Sequence, residues 1–486
     1  MLLPETPRGR TPLLATIGTL GRAAPFRTIT LGLASSMIVA ICVVVAGPVA
    51  PVPAKAQAMD RPNILLIVTD DQRADTLPAM PKLLDRIAGP GIRFGKGFVP
   101  HALCCPARAS ILTGNNSHTT GVWDNGLETG YRAFNESSTL ATWLDDGGYR
   151  TGLFGKYLNH WADDDPTHVP PGWDEWFAFT ENCCGYYGFT ANVNGTLRDF
   201  GDNVYSTTES AQRAAGFILS DVDTPTFVLW TPEAPHAPAK PEAKYEGAFA
   251  DLPVFRPPNY MEKDVSDKPR WVRSAPIWGS VQRGSVDALR RRMYETLLSV
   301  DDGIDLLIDA LATSGRLSNT LIVFTSDNGV LLGEHRFQGK PFAWRAAHRV
   351  PFVVRYDPLA DPPGTSRALV LTIDIAPTIV ELAGVVSPTM EGNSLIPILG
   401  GQRTSTRSQF VIEHAQSGKS PPYCGARSQS ALFVRHSGGA EEFYDYRRDQ
   451  WELRNLIADP RSQQRIARHR RFTRERCFPR PPGFSW

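Results

Sequence analysis

Cys104, Pro106 and Arg108 stand at alternate positions of Cys-Cys-Pro-Ala-Arg, a string that runs on into A-S-I-L-T-G at Ala109–Gly114. Pro106 suits the first turn of a helix, Ala107 to Leu112 hold no breaker, and Thr113 with Gly114 supplies a stop. Cys104 is therefore predicted at a helix N-terminus. Unpaired backbone N–H groups and the positive end of the helix dipole favour an anion there, and Arg108, one turn on, adds a fixed fork of donors for oxyanion oxygens. A cysteine so placed is a candidate nucleophile beside an anion clamp. The alternative is a buried or disulfide-bonded cysteine at an ordinary helix start.

A second group of residues suits a cation. Asp70 and Asp71 follow the run I-L-L-I-V-T at Ile64–Thr69, and Ser326, Asp327, Asn328 and Gly329 follow T-L-I-V-F-T at Thr320–Thr325. Asp70, Asp71, Asp327 and Asn328 form an all-oxygen set for a hard divalent ion, Ca²⁺ in preference to Mg²⁺. D-D and D-N-G are also ordinary turn sequences, as Asp145-Asp146 and Asp301-Asp302 show in the same chain. What separates the chosen pairs is their place at the ends of apolar strands. The chain has no C-x-x-C pair and no H-E-x-x-H, which argues against a thiolate or histidine zinc site.

The elements that must position these groups are legible in outline. The runs at Ile64–Thr69, Thr226–Thr231 and Thr320–Thr325 are short and continuously apolar, as strands buried on both faces require. Helical patterns lie between them at Pro81–Ile87, Ser138–Leu144 and Val286–Ala312. Strands alternating with helices predict an α/β fold, a mostly parallel sheet with helices on both faces and sites beyond the carboxyl ends of its strands. A further strand, Arg150–Phe154, leads to Gly155 and Lys156, and the strand from Thr226 leads through a proline-rich loop to His236. All these side chains are delivered to one rim. After about residue 400 the pattern changes to short strands at Ser408–Glu413, Ala431–His436 and Glu442–Tyr446. A tail carrying Arg461, Arg465, Arg468, Arg470, Arg471, Arg474 and Arg476 follows, read as a solvated helix in preference to a glycan-binding patch.

The 486 residues include 51 basic and 50 acidic ones, a formal charge of +1, so no global field steers the chain to nucleic acid and any anion preference is local. Arg8, Arg10, Arg22 and Arg27 precede an uncharged, mostly apolar run from Thr28 to Pro53, and Ala54, Ala56 and Ala58 offer an A-x-A cleavage site. The expected division is an export signal at 1–58, a catalytic domain at 59–400 and a C-terminal subdomain at 401–486. An uncleaved anchor is the alternative for the first segment and the one route to a membrane. Cys42 lies in the apolar run, but Ile41 before it is too large for a usual lipid-attachment site. Export places the protein in the periplasm, at the cell surface or outside the cell, where thiols oxidise. Cys424 with Cys477 is one expected disulfide, and one of Cys183 or Cys184 reaching Cys105 is another; spacing does not fix the connectivity.

Cys104–Gly114 resembles the signature of the type I, formylglycine-dependent sulfatases, in which the first cysteine is oxidised to an aldehyde whose hydrate attacks sulfate esters. Arg61–Gln72 (R-P-N-I-L-L-I-V-T-D-D-Q) is similar to the family's N-terminal metal strand, and Gly148–Lys156 (G-Y-R-T-G-L-F-G-K) to its second signature. Ser326–Gly329 is similar to its second metal segment, and Asp374–Gly384 to the helix that follows. The resemblance spans nearly all of the mature chain. It implies an alkaline-phosphatase-like α/β fold with a small C-terminal α+β subdomain built on an antiparallel sheet.

It also implies roles. Asp70, Asp71, modified Cys104, Asp327 and Asn328 would hold the metal, which draws charge from a sulfate oxygen and acidifies the hydrate. One hydroxyl attacks sulfur, and the other later expels sulfate as the aldehyde re-forms. Asp327 is placed to accept the nucleophile's proton, Lys156 and Lys340 to bind sulfate, Arg108 to support Cys104, and His236 to protonate the leaving alcohol. A formylglycine-generating or equivalent enzyme is the implied partner. Leu158 departs from the pattern, because many arylsulfatase-like members carry histidine there; His118, His160, His335 or a second use of His236 are the alternatives for expelling sulfate.

Gly155–Asn159, the doubled Cys104-Cys105, Leu297–Asp302 and Thr325–Gly329 resemble the N-acetylglucosamine-6-sulfatase and extracellular heparan endosulfatase branch, which implies a sulfated amino sugar or glycan as substrate. Trp161, Trp173, Trp176, Tyr186 and Tyr187 are either sugar-stacking rings or core. An aryl-sulfate or choline-sulfate range is one alternative, and a phosphonate or phosphate ester hydrolase on the same fold another. A glycan-modifying transferase with a threonine nucleophile and a glycan-binding protein without chemistry fit Cys104, Arg108 and the lysines less well.

Overall fold

A computed structural model describes residues 61–181, 184–359 and 363–486. The expected export segment at 1–58, Cys42 and Cys183 lie outside the described residues. The strands are β1 (Asn63–Thr69), β2 (Ile92–Phe98), β3 (Arg150–Gly155), β4 (Glu175–Phe179), β5 (Thr190–Val193), β6 (Thr196–Asp199), β7 (Thr226–Thr231) and β8 (Thr320–Ser326). They continue as β9 (Leu331–Leu332), β10 (Gln338–Gly339), β11 (Phe352–Arg355), β12 (Gly364–Leu371), β13 (Gln409–His414), β14 (Tyr423–Ser428), β15 (Ala431–His436) and β16 (Glu441–Asp445).

Every residue of β1 is buried. Its alternate side chains diverge: Ile64, Leu66 and Val68 join one core and Leu65 and Ile67 the other. That two-sided burial is why the run had to be apolar throughout, and each such side chain contributes about 1.5–3 kcal/mol. The large sheet has ten strands in the order β12-β2-β11-β8-β1-β7-β3-β4-β5-β6. From β8 to β4 all neighbours run parallel. Antiparallel β11 and the β4-β5-β6 meander make the whole sheet mixed.

Helices cover both faces. α1 (Cys104–Thr113), α2 (Leu140–Asp146) and, on the other face, α3 (Ser206–Ser220) and α4 (Ser280–Thr313) carry most of the packing. α5 (Ile375–Ala383) joins α1 and α2 through Ile375, Ala376, Ile379 and Ala383. α4 opposes them with Leu297, Val300, Ile304, Leu307 and Leu311. The helix expected over Pro81–Ile87 begins as an α-helix at Pro81–Leu83 and widens to a π-helix over Leu84–Ala88. Among the described residues no helix is long and apolar enough to cross a membrane.

The small sheet, β13-β14-β15-β16, is antiparallel throughout. One face, with Phe410, Ile412, Tyr423, Leu432, Val434 and Tyr444, shares a core with Phe98, Trp344, Leu369 and Leu371 of the large domain. The other receives α6 (Gln463–Arg476), which buries Ile466, His469 and Thr473. Its arginines lie outside that stripe: Arg465 pairs with Asp445 at 2.7 Å and Arg470 with Glu441 at 2.5 Å. The basic tail is thus a docked helix with a solvated face.

Cys424 and Cys477 are bonded, as the spacing allowed. Cys105 is not: it is a free thiol, fully buried in the core beneath α1, whereas Cys184 is disulfide-bonded. The expected bridge from Cys183 or Cys184 to Cys105 is therefore corrected, because Cys105 points into the sheet-facing core rather than toward another cysteine.

The 424–477 bond ties β14 to the end of α6 across a separation of 53 residues. In the chain-entropy model such a loop restricts the unfolded state by about 4 kcal/mol. Replacing both cysteines by serine is expected to cost about 2–4 kcal/mol, seen as a lower Tm with the amides of α6 exchanging earliest. An unchanged Tm would mean that apolar docking alone holds the helix.

Candidate active site

β1 and β8 are parallel neighbours with Thr69 opposite Ser326, so the residues just beyond each strand lie side by side. Backbone and side-chain bonds fix the juncture: Asp327 N–H donates to Thr69 O at 3.0 Å, Asp71 N–H to Asp327 Oδ1 at 3.1 Å and Gln72 N–H to Ser326 Oγ at 2.9 Å. Asp71 turns the chain at φ 62°, a left-handed conformation that aspartate tolerates better than most side chains. Gly329 is required on the other arm, since a Cβ there would stand 2.3 Å from Ala346 O.

α1 brings Cys104 to this edge as its first residue, following an extended Leu103. All ten residues of the helix are buried, and Gly114 ends it at φ 70°. Asn125 Oδ1 accepts the Cys105 N–H at 2.9 Å and so occupies one of the free donors of the first turn. One turn in, Arg108 ties three strands' ends together. Its Nε donates to Asp327 Oδ2 at 2.9 Å and its Nη1 to Lys156 O at 2.9 Å, while Nη2 lies 3.5 Å from Asp70 Oδ2.

The remaining cations close the ring. Lys156, just after β3, forms a short ion pair with Asp70. Lys340, just after the β9-β10 hairpin, places Nζ 2.7 Å from Asp71 Oδ1 and 2.7 Å from Cys104 Sγ. His236 lies in the loop beyond β7, its Nδ1 2.6 Å from Ala237 O and its Nε2 3.5 Å from Asp71 Oδ2. The carbonyl contact assigns the Nδ1 hydrogen and leaves Nε2 facing the site. The nine residues selected from sequence, Asp70, Asp71, Cys104, Arg108, Lys156, His236, Asp327, Asn328 and Lys340, are all brought together.

The electrostatics are those of a dry, nearly balanced cluster. Burial alone would raise the Asp70 carboxyl, yet Lys156, His236, Lys340 and Arg108 together hold it well below the usual carboxylate range. Burial, with Asp70 adjacent, pushes Asp327 up against the pull of Arg108. The Cys104 thiol is pushed up to about 12, chiefly by burial and then by Asp70, with the lysines opposing. An unmodified thiol here stays protonated and is a poor nucleophile at neutral pH.

The donor set also fits a hard cation. Ligand atoms of Asp70, Asp71, Cys104 and His236 lie within 4.8 Å of one another, a group that holds His236 and not the expected Asp327, whose Oδ1 and Oδ2 accept from the Asp71 N–H and Arg108 Nε. Asn328 Nδ2 donates to Asp71 Oδ1 at 2.6 Å, while its Oδ1 is buried with no hydrogen-bond partner in the protein. Carboxylates plus an orphaned amide oxygen are what Ca²⁺ or Mg²⁺ takes.

Other expectations resolve differently. His118 is held between Glu391 and Glu413, at 2.9 and 2.7 Å, and although burial disfavours its charge these partners raise it to about 10. His335 is committed to Glu262 at 2.6 Å, with Glu452 beyond, and His160 pairs with Asp163 at 2.7 Å. Among the described residues the ring nitrogens of His118 and His335 are committed to these acids and not to the cluster. Leu158 is buried in the core. Trp161, Trp176 and Tyr186 are buried and belong to the core, while Trp173 and Tyr187 are partly buried at the edges of the same cores.

One residue escaped the sequence reading. Glu233, three positions before His236, is buried; its Oε1 accepts the Cys184 N–H at 2.9 Å and its Oε2 has no hydrogen-bond partner. Burial pushes it up to about 7, with Lys156 opposing. Its place just past β7 was the available signal, the same strand-end rule that selected the aspartates.

The chain matches the family model "Sulfatase" over residues 62–385 and the model "N-sulphoglucosamine sulphohydrolase, C-terminal" over residues 333–475. Fold and site together are those of a sulfuric ester hydrolase with alkaline-phosphatase-like architecture. The chain belongs to the sulfatase family. It is 35% identical to human N-acetylglucosamine-6-sulfatase over 393 residues, covering 76% of this chain and 70% of that protein. It is 33% identical to the extracellular sulfatase SULF-1 homolog of Drosophila melanogaster over 371 residues, 73% of this chain but only 33% of that one. Among solved structures it is similar to BT4656 in complex with its substrate D-glucosamine-2-N,6-O-disulfate, with a TM-score of 0.74, 25% identity and coverage of 85% of this chain and 97% of the other.

Glu233 makes stability depend on pH. The unfolded chain releases this proton near 4.5 and the folded chain near 7, so the native state loses stability as pH rises between those values. Glu233→Gln is expected to match the parent near pH 4.5 and to gain up to ~3 kcal/mol above pH 7. Denaturant melts across that range check it; equal stability at pH 8 would contradict a carboxyl held proton-bound by burial.

Proposed function

We propose that this sulfatase hydrolyses a sulfate ester of an amino sugar, with Cys104 oxidised to formylglycine as nucleophile and Ca²⁺ held by Asp70, Asp71, residue 104, Asp327 and Asn328. The observation that carries the reading is the position of Cys104: first residue of a buried helix, with Lys340 Nζ 2.7 Å from its sulfur and the strand-end carboxylates around it. A thiol raised to about 12 does not serve there. Formylglycine supplies a hydrated aldehyde as attacking group, and the cation supplies positive charge for a sulfate oxygen.

The chain's own residues do the rest. Lys156 and Lys340 hold the anion, and Arg108 fixes the geometry by bridging α1 to the ends of β1, β3 and β8. His236, pinned at Nδ1, presents a protonated Nε2 to the departing alcohol oxygen. Amino-sugar specificity is supported by the relatives, whose names include N-acetylglucosamine-6-sulfatase and a structure holding a glucosamine disulfate. Export through residues 1–58, division of the remainder at residue 400 and a modifying enzyme as partner belong to the same reading; the name of an extracellular relative supports the export.

Mass spectrometry of the Cys104 peptide from protein made in its own host is expected to show formylglycine or its hydrate; a thiol throughout would sink the mechanism. Cys104→Ala is expected to fold normally and lose at least roughly 10³-fold in activity. Chelation is expected to abolish turnover, with Ca²⁺ restoring more of it than Mg²⁺.

His236→Ala discriminates the acid's role. The loss in kcat is expected to reach roughly 10²–10⁴-fold on N-acetylglucosamine 6-sulfate, whose alcohol leaves poorly, and to be small on a nitrophenyl sulfate. Equal losses on both would assign His236 to binding instead. Matched phosphate esters should turn over far more slowly than the sulfates.

A further inference from the structure

A second cluster of cations lies where the large sheet meets the small one. A cleft of about 400 Å³ opens there, walled by Lys96 from β2, Arg345, Arg427 at the end of β14, and Ser428, Gln429 and Gln450. No aspartate or glutamate lines it. Arg427 is only 2% exposed, yet its Nε and Nη1 have no hydrogen-bond partner. The guanidinium is held instead by rings, 4.3 Å from the Phe98 centroid and 4.5 Å from that of Tyr446.

The nearby acids are engaged elsewhere. Asp445 pairs with Arg447 and Arg465, each at 2.7 Å. Glu452 accepts the Arg345 N–H at 3.0 Å and the Tyr446 hydroxyl at 2.5 Å, with His335 beyond. Among the described residues neither Lys96, Arg345 nor Arg427 makes an ion pair; Lys96 reaches only Gln429 Oε1, at 3.4 Å. The crowding shows in their protonation: burial and then Arg367, Arg345 and Arg427 push Lys96 down, and burial and then Arg345 and Arg427 push Arg349 down to about 10. Burial pushes Arg427 down, and the Tyr446 hydroxyl and the Glu452 carboxylate act on it without forming an ion pair, so its Nε and Nη1 stay unsatisfied. A buried guanidinium only partly compensated in this way is costly unless an anion joins it.

We infer that this cleft is a second anion site, which takes a sulfate or carboxylate group of a sugar unit other than the one being desulfated. Its volume is that of a ligand site rather than a pocket for one small ion. Ser428, Gln429 and Gln450 supply neutral donors and acceptors suited to sugar hydroxyls. Arg345 and Gln450 also line an adjoining cleft of about 180 Å³ whose wall includes Arg73, two residues beyond Asp71. That adjoining cleft also carries Asp75, Glu334 and Glu452, so a second anionic group would be held in the acid-free cleft and not along this wall. The inference rests on the amino-sugar reading above and extends it from a single sugar to an oligosaccharide with spaced charges.

The test uses the full-length chain. On a Cys104→Ala background, binding of a heparin-derived tetrasaccharide and of sodium sulfate is measured at fixed salt, with and without Lys96→Gln plus Arg345→Gln. The double substitution is expected to weaken the tetrasaccharide by about tenfold or more. On the active enzyme it should raise KM for that oligosaccharide and leave turnover of the monosulfated monosaccharide unchanged. Arg427→Met, which removes the unpaired charge, should keep or raise the Tm and lose the tetrasaccharide's stabilising effect. Tetrasaccharide binding that is indifferent to all three substitutions overturns the proposal, as does a cleft that takes inorganic sulfate alone. Failure of the amino-sugar reading shows separately, as absent monosaccharide turnover in the unsubstituted enzyme while the binding arm still reports on the cleft.

Discussion

The register between β1 and β8 is the constraint on which the site depends. Thr69 opposite Ser326 sets Asp70 and Asp71 beside Asp327 and Asn328. A slip of one residue would turn every side chain of the strand to the opposite face. Both strands are filled with apolar side chains committed to separate cores, so the slip is blocked by packing along the whole strand. Hydrophobic burial far from the chemistry thereby determines where the carboxylates stand.

The charged cluster is expensive to desolvate. Asp70, Asp327 and Arg108 are nearly inaccessible to water, and the ion pairs among them recover only part of what burial costs. Taking one member away would leave its partner charged and uncompensated. The folded domain can carry this strain because the sheet, α1 and the hairpin β9-β10 are each held by apolar contacts of their own. Preorganised charge at a developing anion is the usual return on such an arrangement.

The reach of the sequence differs from residue to residue. β1, β7 and β8 were legible because burial on both faces demands an uninterrupted apolar run, and the aspartates followed from the rule that sites gather at strand ends. β14 was not legible: Y-C-G-A-R-S follows two prolines and carries glycine and arginine, so it becomes a strand only because β13 and β15 pair with both its edges. Glu233 reads as a solvated charge in a proline-rich loop, and only the tertiary fold buries it. Lys340 sits in no periodic element at all and was reached through family resemblance. The aromatic cluster from Trp161 to Tyr187 was ambiguous by composition, since rings that pack a core and rings that face a sugar have the same sequence signature.

The burial of α1 on all sides has a temporal meaning. Cys104 is 1% exposed at the base of a helix with no solvent face, so no enzyme can reach its sulfur once the domain has closed. Any oxidation of that residue must come while the segment is still extended, before the sheet accepts the helix. Under the formylglycine reading, the order of events during biogenesis, rather than the folded structure alone, would decide which molecules become competent, and a chain that folds before oxidation would stay silent.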